Sequence, residues 1–502
     1  MGSLCLRPKL NMIGVNISRI NRYLLGALLL GGAALPATAA ETFDGLRSCE
    51  LSAAGGRLTA SARCGEFQVA ENPDAPEDRQ IELAYAVLPA RGGSPAPDPV
   101  FFLAGGPGQS ARDALPLMDR ALREVNLERD LIFLDQRGTG GSNPLDCSFE
   151  GLDDWLEQDF DEIDRQLREC HAEWDADVRF YTTGHAAADL EALRARYGFE
   201  TINLIGGSYG TRLAQVYLRE HADRVRSVVL DGVVPTRLKL GSEHALKLDK
   251  ALEKLFAACA DDPSCGDAFP GLPEAFRELV TRYRDTREDL IVTHPRSGVG
   301  TEIEFSRDVL ASALRFLAYN PQTQALIPYL VHEAAATGDP SRLASQAMIV
   351  TDQMDDMIAI GLNFAVGCAE DWPDWPRDVD TADTLLGDAM LEFYDQVCSW
   401  WPAGEAPADF HQPFDRDVPV LALSGELDPV TPPEYDNEAA SQYSDSLHLI
   451  GRGRGHIVST DPCFAGIVAE FIADADHGDL DTDCMDYLGP EPFVLDLLGP
   501  AP

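Results

Sequence analysis

Ile202-Asn203-Leu204-Ile205-Gly206-Gly207-Ser208-Tyr209-Gly210-Thr211-Arg212-Leu213-Ala214-Gln215-Val216-Tyr217 decides the fold of this 502-residue chain. A short apolar run predicts a buried strand, a G-x-S-x-G turn follows, and a helix-forming stretch comes next. A serine at so sharp a strand-to-helix turn holds its hydroxyl clear of the backbone. The flanking glycines remove side chains that would collide there. The helix N-terminus behind it offers free N–H groups and a positive dipole end to a developing oxyanion. Ser208 is therefore the candidate nucleophile.

A serine nucleophile needs a base to take its proton and an acid to orient that base. Val418-Pro419-Val420-Leu421-Ala422-Leu423 reads as a buried strand and runs into Ser424-Gly425-Glu426-Leu427-Asp428-Pro429-Val430-Thr431-Pro432. Asp428 thus falls in a loop just past a strand. The strand-like Ser446-Leu447-His448-Leu449-Ile450 precedes Gly451-Arg452-Gly453-Arg454-Gly455-His456, a glycine-rich loop that delivers a histidine. His456 is the expected base and Asp428 the expected acid. Asp231, after Val225-Arg226-Ser227-Val228-Val229-Leu230, is the rival acid, and His448, inside a strand pattern, reads as structural. The oxyanion hole is expected from the N–H of Tyr209 and from Gly106, in the loop Ala104-Gly105-Gly106-Pro107-Gly108-Gln109-Ser110 after the strand Pro99–Leu103.

The wider pattern is α/β. Ile81–Leu88 alternates and reads as an edge strand; Leu131–Leu134 is a buried strand; Ala186–Tyr197 is helical. Strands and helices alternate to about Pro235, as a mostly parallel central sheet flanked by helices requires. From Thr236 to Pro413 the pattern turns mostly helical, for example over Ala245–Cys259 and Leu310–Leu317, and from Val418 the strands return. The expected organisation is a signal peptide (1–40), a first core part (41–235), an inserted mainly helical cap (236–413), a C-terminal core part (414–487) and a poorly ordered Gly/Pro-rich tail (488–502).

Five motifs together resemble the α/β-hydrolase serine peptidases that include proline iminopeptidases and tripeptidyl aminopeptidases. They are Gly105-Gly106-Pro107-Gly108, Asp135-Gln136-Arg137-Gly138-Thr139-Gly140, Asn203–Thr211, Leu230-Asp231-Gly232-Val233-Val234-Pro235 and Gly425–Pro432. The Ser-Tyr-Gly-Thr elbow looks more like the secreted tripeptidyl branch, and the resemblance runs from about Cys49 to Cys484. One departure is Ala104, where the family often has a histidine. The resemblance implies the α/β-hydrolase fold and an exported serine aminopeptidase. It implies a peptide substrate with a free N-terminus, and carboxylates that grip the substrate's ammonium group. Val366-Gly367-Cys368-Ala369-Glu370-Asp371-Trp372 supplies Glu370 first and Asp371 second for that part. Trp372, Trp375, Trp400 and Trp401 are equally compatible with a pocket wall and with core. A carboxylesterase or lipase-like activity on small esters is the alternative, since the same catalytic set hydrolyses esters. A non-catalytic binding protein would be expected to lack one of the three residues.

The N-terminus reads as a secretory signal: Arg19 and Arg22, then the short apolar stretch Tyr23–Leu35, then small residues before Glu41. The mature chain would be periplasmic or extracellular. Ten cysteines would remain: Cys49, Cys64, Cys147, Cys170, Cys259, Cys265, Cys368, Cys398, Cys463 and Cys484. An even number in an exported chain suggests disulfides, and neighbour pairing would join them in that order, although spacing alone does not fix connectivity. No Cys-x-x-Cys spacing points to zinc, and no metal or organic cofactor is implied. Net charge is −43, from 83 acidic and 40 basic residues. The charge is spread along the chain, which disfavours nucleic acid and anionic lipid as partners. No stable membrane insertion is expected after signal removal, and nothing in the sequence sets an oligomeric state.

Overall fold

A computed structural model describes residues 43, 45–53, 56–149, 160–354 and 357–500. The expected signal peptide lies outside the described residues. Among them, no helix is long and apolar enough to cross a membrane.

The core is one nine-stranded sheet. In chain order its strands are β1 (Arg47–Ser52), β2 (Thr59–Ala70), β3 (Gln80–Leu88), β4 (Val100–Leu103), β5 (Leu131–Leu134), β6 (Ile202–Gly207), β7 (Val225–Asp231), β10 (Val420–Gly425) and β11 (Ser446–Gly451). Their spatial order is β1-β2-β3-β5-β4-β6-β7-β10-β11. The pairs from β1 to β5 through β3 are antiparallel, and every pair from β5 to β11 is parallel. Every residue of β4, β5, β6 and β10 is buried, as strands covered on both faces must be.

Side chains alternate between two apolar layers. Phe101, Leu204, Val228 and Ala422 point to the layer formed by helices Thr183–Tyr197 and Tyr209–His221, through Leu190, Leu193, Leu213 and Tyr217. Phe102, Ile205, Val229 and Leu421 point to the layer formed by helices Ala111–Ala121 and Pro462–Asp474, through Leu115, Met118, Phe464 and Phe471. Burying a Leu- or Phe-sized side chain stabilises the fold by roughly 1.5–3 kcal/mol, so this two-sided packing fixes the register of the central strands.

Between β7 and β10 lie helices including His244–Asp261, Leu272–Arg284, Arg307–Leu317, Ile327–Thr337 and Ile360–Val366. Several share a separate apolar cluster built on Leu252, Phe256, Leu310 and Leu314. This stretch also contains an antiparallel hairpin, β8 (Glu288–Thr293) with β9 (Gly300–Phe305). The sequence hid it because half of its residues face solvent and the strands are short.

Two expectations change, and one open alternative is decided. Ile81–Leu88 is not an edge strand, because β1 and β2 pair outside β3 and take over the edge. The tail is docked up to Pro500: Leu488 and Phe493 are buried, and Val494 N–H donates to the Ala325 carbonyl at 3.0 Å. Its Gly/Pro content concealed two apolar anchors. Trp375 and Trp401 are core residues, Trp375 against Tyr394 and Trp401 against Phe364.

Five disulfides join sequence neighbours: Cys49–Cys64, Cys147–Cys170, Cys259–Cys265, Cys368–Cys398 and Cys463–Cys484. The fourth spans 30 residues and ties the segment after helix Ile360–Val366 to helix Ala389–Cys398. Cross-linking a loop of that size restricts the unfolded chain, an effect of about 3 kcal/mol. Chemical denaturation of a Cys368→Ala/Cys398→Ala variant is expected to show a loss of that order, and an unchanged midpoint would refute the role.

Candidate functional site

Ser208 follows β6 directly and precedes the helix Tyr209–His221. Its backbone has φ 54° and ψ −124°, a conformation most side chains avoid. The two outer glycines of the motif make it possible. A Cβ at Gly210 would come within 2.1 Å of the Leu103 carbonyl oxygen, and one at Gly206 within 2.5 Å of the Gly210 carbonyl oxygen. Ser208 N–H donates to the Asp231 carbonyl at 2.9 Å, which anchors the turn to the end of β7.

The loop after β4 lies against this turn: a Cβ at Gly105 would sit 3.1 Å from Ser208 Cβ. Gly105 N–H is already donated to Gln109 Oε1 at 3.2 Å. Among the described residues, Gly106 N–H and Tyr209 N–H have no acceptor, so both remain available to an anionic oxygen.

Asp428 and His456 meet. His456 Nδ1 lies 2.8 Å from Asp428 Oδ2. The other Asp428 oxygen accepts Val430 N–H at 2.8 Å and Thr431 N–H at 2.9 Å. Thr431 Oγ1 donates to Asp428 Oδ2 at 2.9 Å and lies 3.1 Å from His456 Nδ1. These bonds leave the carboxylate one orientation. His456 N–H donates to the Tyr319 carbonyl at 2.8 Å, and the Tyr319 ring meets the imidazole edge-on at 5.2 Å. Register places these groups together: Gly207 of β6 pairs with Asp231 of β7, and Asp231 with Leu423 of β10, so the loops leave the carboxyl ends of adjacent strands. Ser208 Oγ makes no hydrogen bond among the described residues; such contacts often tighten only around substrate.

Asp231 has different work. Its carboxylate accepts Val458 N–H at 3.0 Å and Ser459 N–H at 2.7 Å, just beyond His456. It braces the histidine loop while its carbonyl braces Ser208. Burial lowers the basicity of His456, but the charge and hydrogen bond of Asp428 outweigh this and raise its pKa above the usual 6.5. His448 hydrogen-bonds Ser424 at 2.7 Å, and burial holds its pKa down at about 4. Both features fit a structural histidine.

Glu370 and Asp371 are both buried, at 3% and 0% exposure. Asp371 receives Arg212 Nη1 at 2.8 and 3.0 Å. Glu370 accepts Thr183 N–H at 2.6 Å and Thr183 Oγ1 at 2.7 Å. Since that hydroxyl has one proton, the Tyr209 hydroxyl, 2.7 Å away, donates to it. The two carboxylates expected to grip the substrate's ammonium group are thus buried and engaged by protein partners: Arg212, on the elbow helix, holds Asp371, and Thr183 holds Glu370. Nothing in the local sequence links Thr183 or Tyr319 to this site, and both arrive from distant segments, whereas Arg212 and Thr431 lie within one helical turn of Ser208 and Asp428.

Burial raises the Glu370 pKa from 4.5 to about 7, against the opposing pull of Arg212. A carboxyl that holds its proton longer when folded makes stability fall as pH rises between those two values. Glu370→Gln is expected to flatten the pH dependence of stability between about pH 4.5 and 7; an unaltered profile in denaturant titrations would contradict this.

Two family models match the chain: one described as alpha/beta hydrolase fold, over residues 98–260, and one described as TAP-like protein, over residues 383–484. Serine protease Hip1 of Mycobacterium tuberculosis is 25% identical over 460 residues, covering 83% of this chain and 86% of that protein. Tripeptidyl aminopeptidase of Streptomyces lividans is 25% identical over 477 residues, covering 88% and 87%. Proline iminopeptidase of Neisseria gonorrhoeae is 27% identical over 154 residues, covering 31% and 38%. By its sheet, its elbow and these relatives, the chain belongs to the α/β-hydrolase group that includes the proline iminopeptidases and tripeptidyl aminopeptidases.

Proposed function

We propose that this protein is an exported serine aminopeptidase that hydrolyses peptide bonds near free N-termini through an acyl-enzyme, as a tripeptidyl or prolyl aminopeptidase does. The observation that carries the reading is the 2.8 Å contact of His456 Nδ1 with Asp428, at the strand ends where the strained Ser208 turn also lies. The peptidase names of the relatives support a peptide substrate.

In this reading His456 Nε2 takes the Ser208 proton as Oγ attacks the scissile carbonyl. Asp428 stabilises the imidazolium through the Nδ1 proton it already accepts. Gly106 N–H and Tyr209 N–H receive the oxyanion, where each such donor is worth roughly 2.7–4 kcal/mol of barrier. His456 passes its proton to the leaving amine, and water, activated by the same imidazole, releases the acyl group. The stretch 236–413 serves as a cap above these residues, since Tyr319 from that stretch holds His456. We assign Glu370 and Asp371 to bracing the elbow helix, because both are buried and already engaged.

The mature protein is expected to cleave tripeptide or prolyl fluorophore amides with free N-termini far better than acetylated ones, and Ser208→Ala to abolish this. In the same assay Glu370→Gln should leave the free-to-acetylated ratio unchanged; a collapsed ratio would return Glu370 to the substrate ammonium. Indifference of the wild type to acetylation would sink the aminopeptidase reading.

Asp428→Asn is expected to lower kcat by about 10⁴-fold. Because a base must be neutral, activity rises with pH through the His456 pKa. Removing the Asp428 charge should move that acidic limb of kcat/KM to lower pH; a limb that stays in place would exclude Asp428 as the partner.

A further inference from the structure

Arg315 stands apart from the other arginines. In a chain with 83 acidic and 40 basic side chains, a guanidinium without a carboxylate is unusual. Among the described residues, every other arginine that lacks both an ion pair and a hydrogen bond is exposed, whereas Arg315 is partly shielded from solvent. Its guanidinium lies 5.4 Å from the ring of its own neighbour, Phe316.

Its helix leads directly to the residue that holds His456. Arg315 sits in the last turn of helix Arg307–Leu317, four residues before Tyr319, whose carbonyl and ring both contact His456. The buried residues of that helix, Leu310, Leu314 and Leu317, point into the cap core. His244 stands nearby, at the start of helix His244–Asp261, and its Nδ1 is buried without a hydrogen-bond partner. Burial, then the positive charges of Arg315 and His456, hold the His244 pKa down at about 3. His244 is thus neutral near pH 7 and adds no second positive charge beside Arg315. The buried Tyr394 feels its burial first, then the charge of Asp371 and then that of Arg315, and its hydroxyl donates to Asn363 Oδ1 at 2.6 Å. Asn363 Nδ2 donates in turn to the Pro107 carbonyl of the oxyanion loop at 3.4 Å. Arg315 thus shares its surroundings with groups of the site; the acid there, Asp371, is held by Arg212, and among the described residues no carboxylate forms an ion pair with Arg315.

We propose that Arg315 is a specificity subsite for a carboxylate of the peptide substrate, so that the enzyme prefers peptides that bring an anionic group beneath the cap. The planar fork of a guanidinium matches a carboxylate with two parallel hydrogen bonds, and partial desolvation strengthens the pair. The inference rests on the serine-peptidase reading of Ser208 and His456. The carboxylate has two sources, an Asp or Glu side chain and the C-terminus of a short peptide, and both offer the same chemistry.

The test compares kcat/KM for wild type, Arg315→Gln and Arg315→Glu. One substrate series is a set of fluorophore amides that differ only in a Gln, Glu or Lys at each position. The other is a short peptide with a free or an amidated C-terminus. Wild type is expected to favour the carboxylate-bearing member by about tenfold or more. Arg315→Gln should bring that ratio close to one, and Arg315→Glu should turn it towards the Lys-bearing member. A response in the Glu series assigns the anion to a side chain; a response in the peptide pair assigns it to the C-terminus. No preference in the wild type, or the same preference in Arg315→Gln, overturns the proposal. If thermal unfolding shows that Arg315→Gln is not folded, Arg315→Lys replaces it. A weaker preference of the same sign then supports the subsite, and an unchanged one overturns it. Failure of the underlying peptidase reading looks different: Ser208→Ala would keep hydrolysing every substrate, whatever its charge.

Discussion

The backbone at Ser208 is the constraint on which the rest of the structure depends. A non-glycine residue in so sparsely populated a conformation costs on the order of 1–3 kcal/mol and persists only where its surroundings over-determine it. Here they do. The Asp231 carbonyl holds Ser208 N–H, and the helix that follows packs so closely on the end of β4 that position 210 has no room for a Cβ. Three neighbouring strands, β4, β6 and β7, must therefore be in register before the turn can form. The buried sheet stabilises the strained serine, and the serine's hydroxyl is presented where the strands end.

The charges behind the elbow follow from the same packing. Arg212 lies one turn into the elbow helix and is 3% exposed, so it needs a carboxylate close by, and Asp371 supplies one. Breaking such a pair would strand a buried charge, typically at a cost of about 3–5 kcal/mol. Glu370 is a second acid beside a single guanidinium, 3.8 Å from Arg212 Nη1. If it ionised, the site would carry a net negative charge away from bulk solvent. The raised Glu370 pKa is how the structure relieves that imbalance. Through Thr183 the same carboxyl reaches the Tyr209 hydroxyl, and Tyr209 is the residue whose N–H stands next to Ser208.

Much of this was legible in the chain. The continuous apolar runs at Val100–Leu103, Leu131–Leu134, Ile202–Ile205 and Val420–Leu423 are what two-sided burial demands, and each is a strand. The glycines at 206 and 210 announced a turn that tolerates no side chain. Other parts left no local trace. The outer strands β1 and β2 are half exposed and surround a disulfide, so no apolar run marks them. The tail reads as disordered by composition, yet Phe493 finds a pocket in the apolar cluster of the helical insertion. Glu370 and Asp371 read as a substrate-facing pair because their partners, Thr183 and Arg212, lie more than 150 residues away.

The sequence by itself determined the sheet, the elbow and the order of Ser208, Asp428 and His456, because each depends on short-range pattern: apolar periodicity, glycine at a crowded turn, a polar residue just past a strand. Only the tertiary structure decided which acid meets His456. Asp231 and Asp428 both follow strands, but β7 directs one carboxylate to the backbone beyond the histidine, whereas the Asp428–Thr431 turn aims the other at Nδ1. Likewise only folding paired Asp371 with Arg212 and Glu370 with Thr183 and left Arg315 without an ion pair among the described residues, because pairing between charges is settled by distance in space, and a one-dimensional pattern carries no record of it.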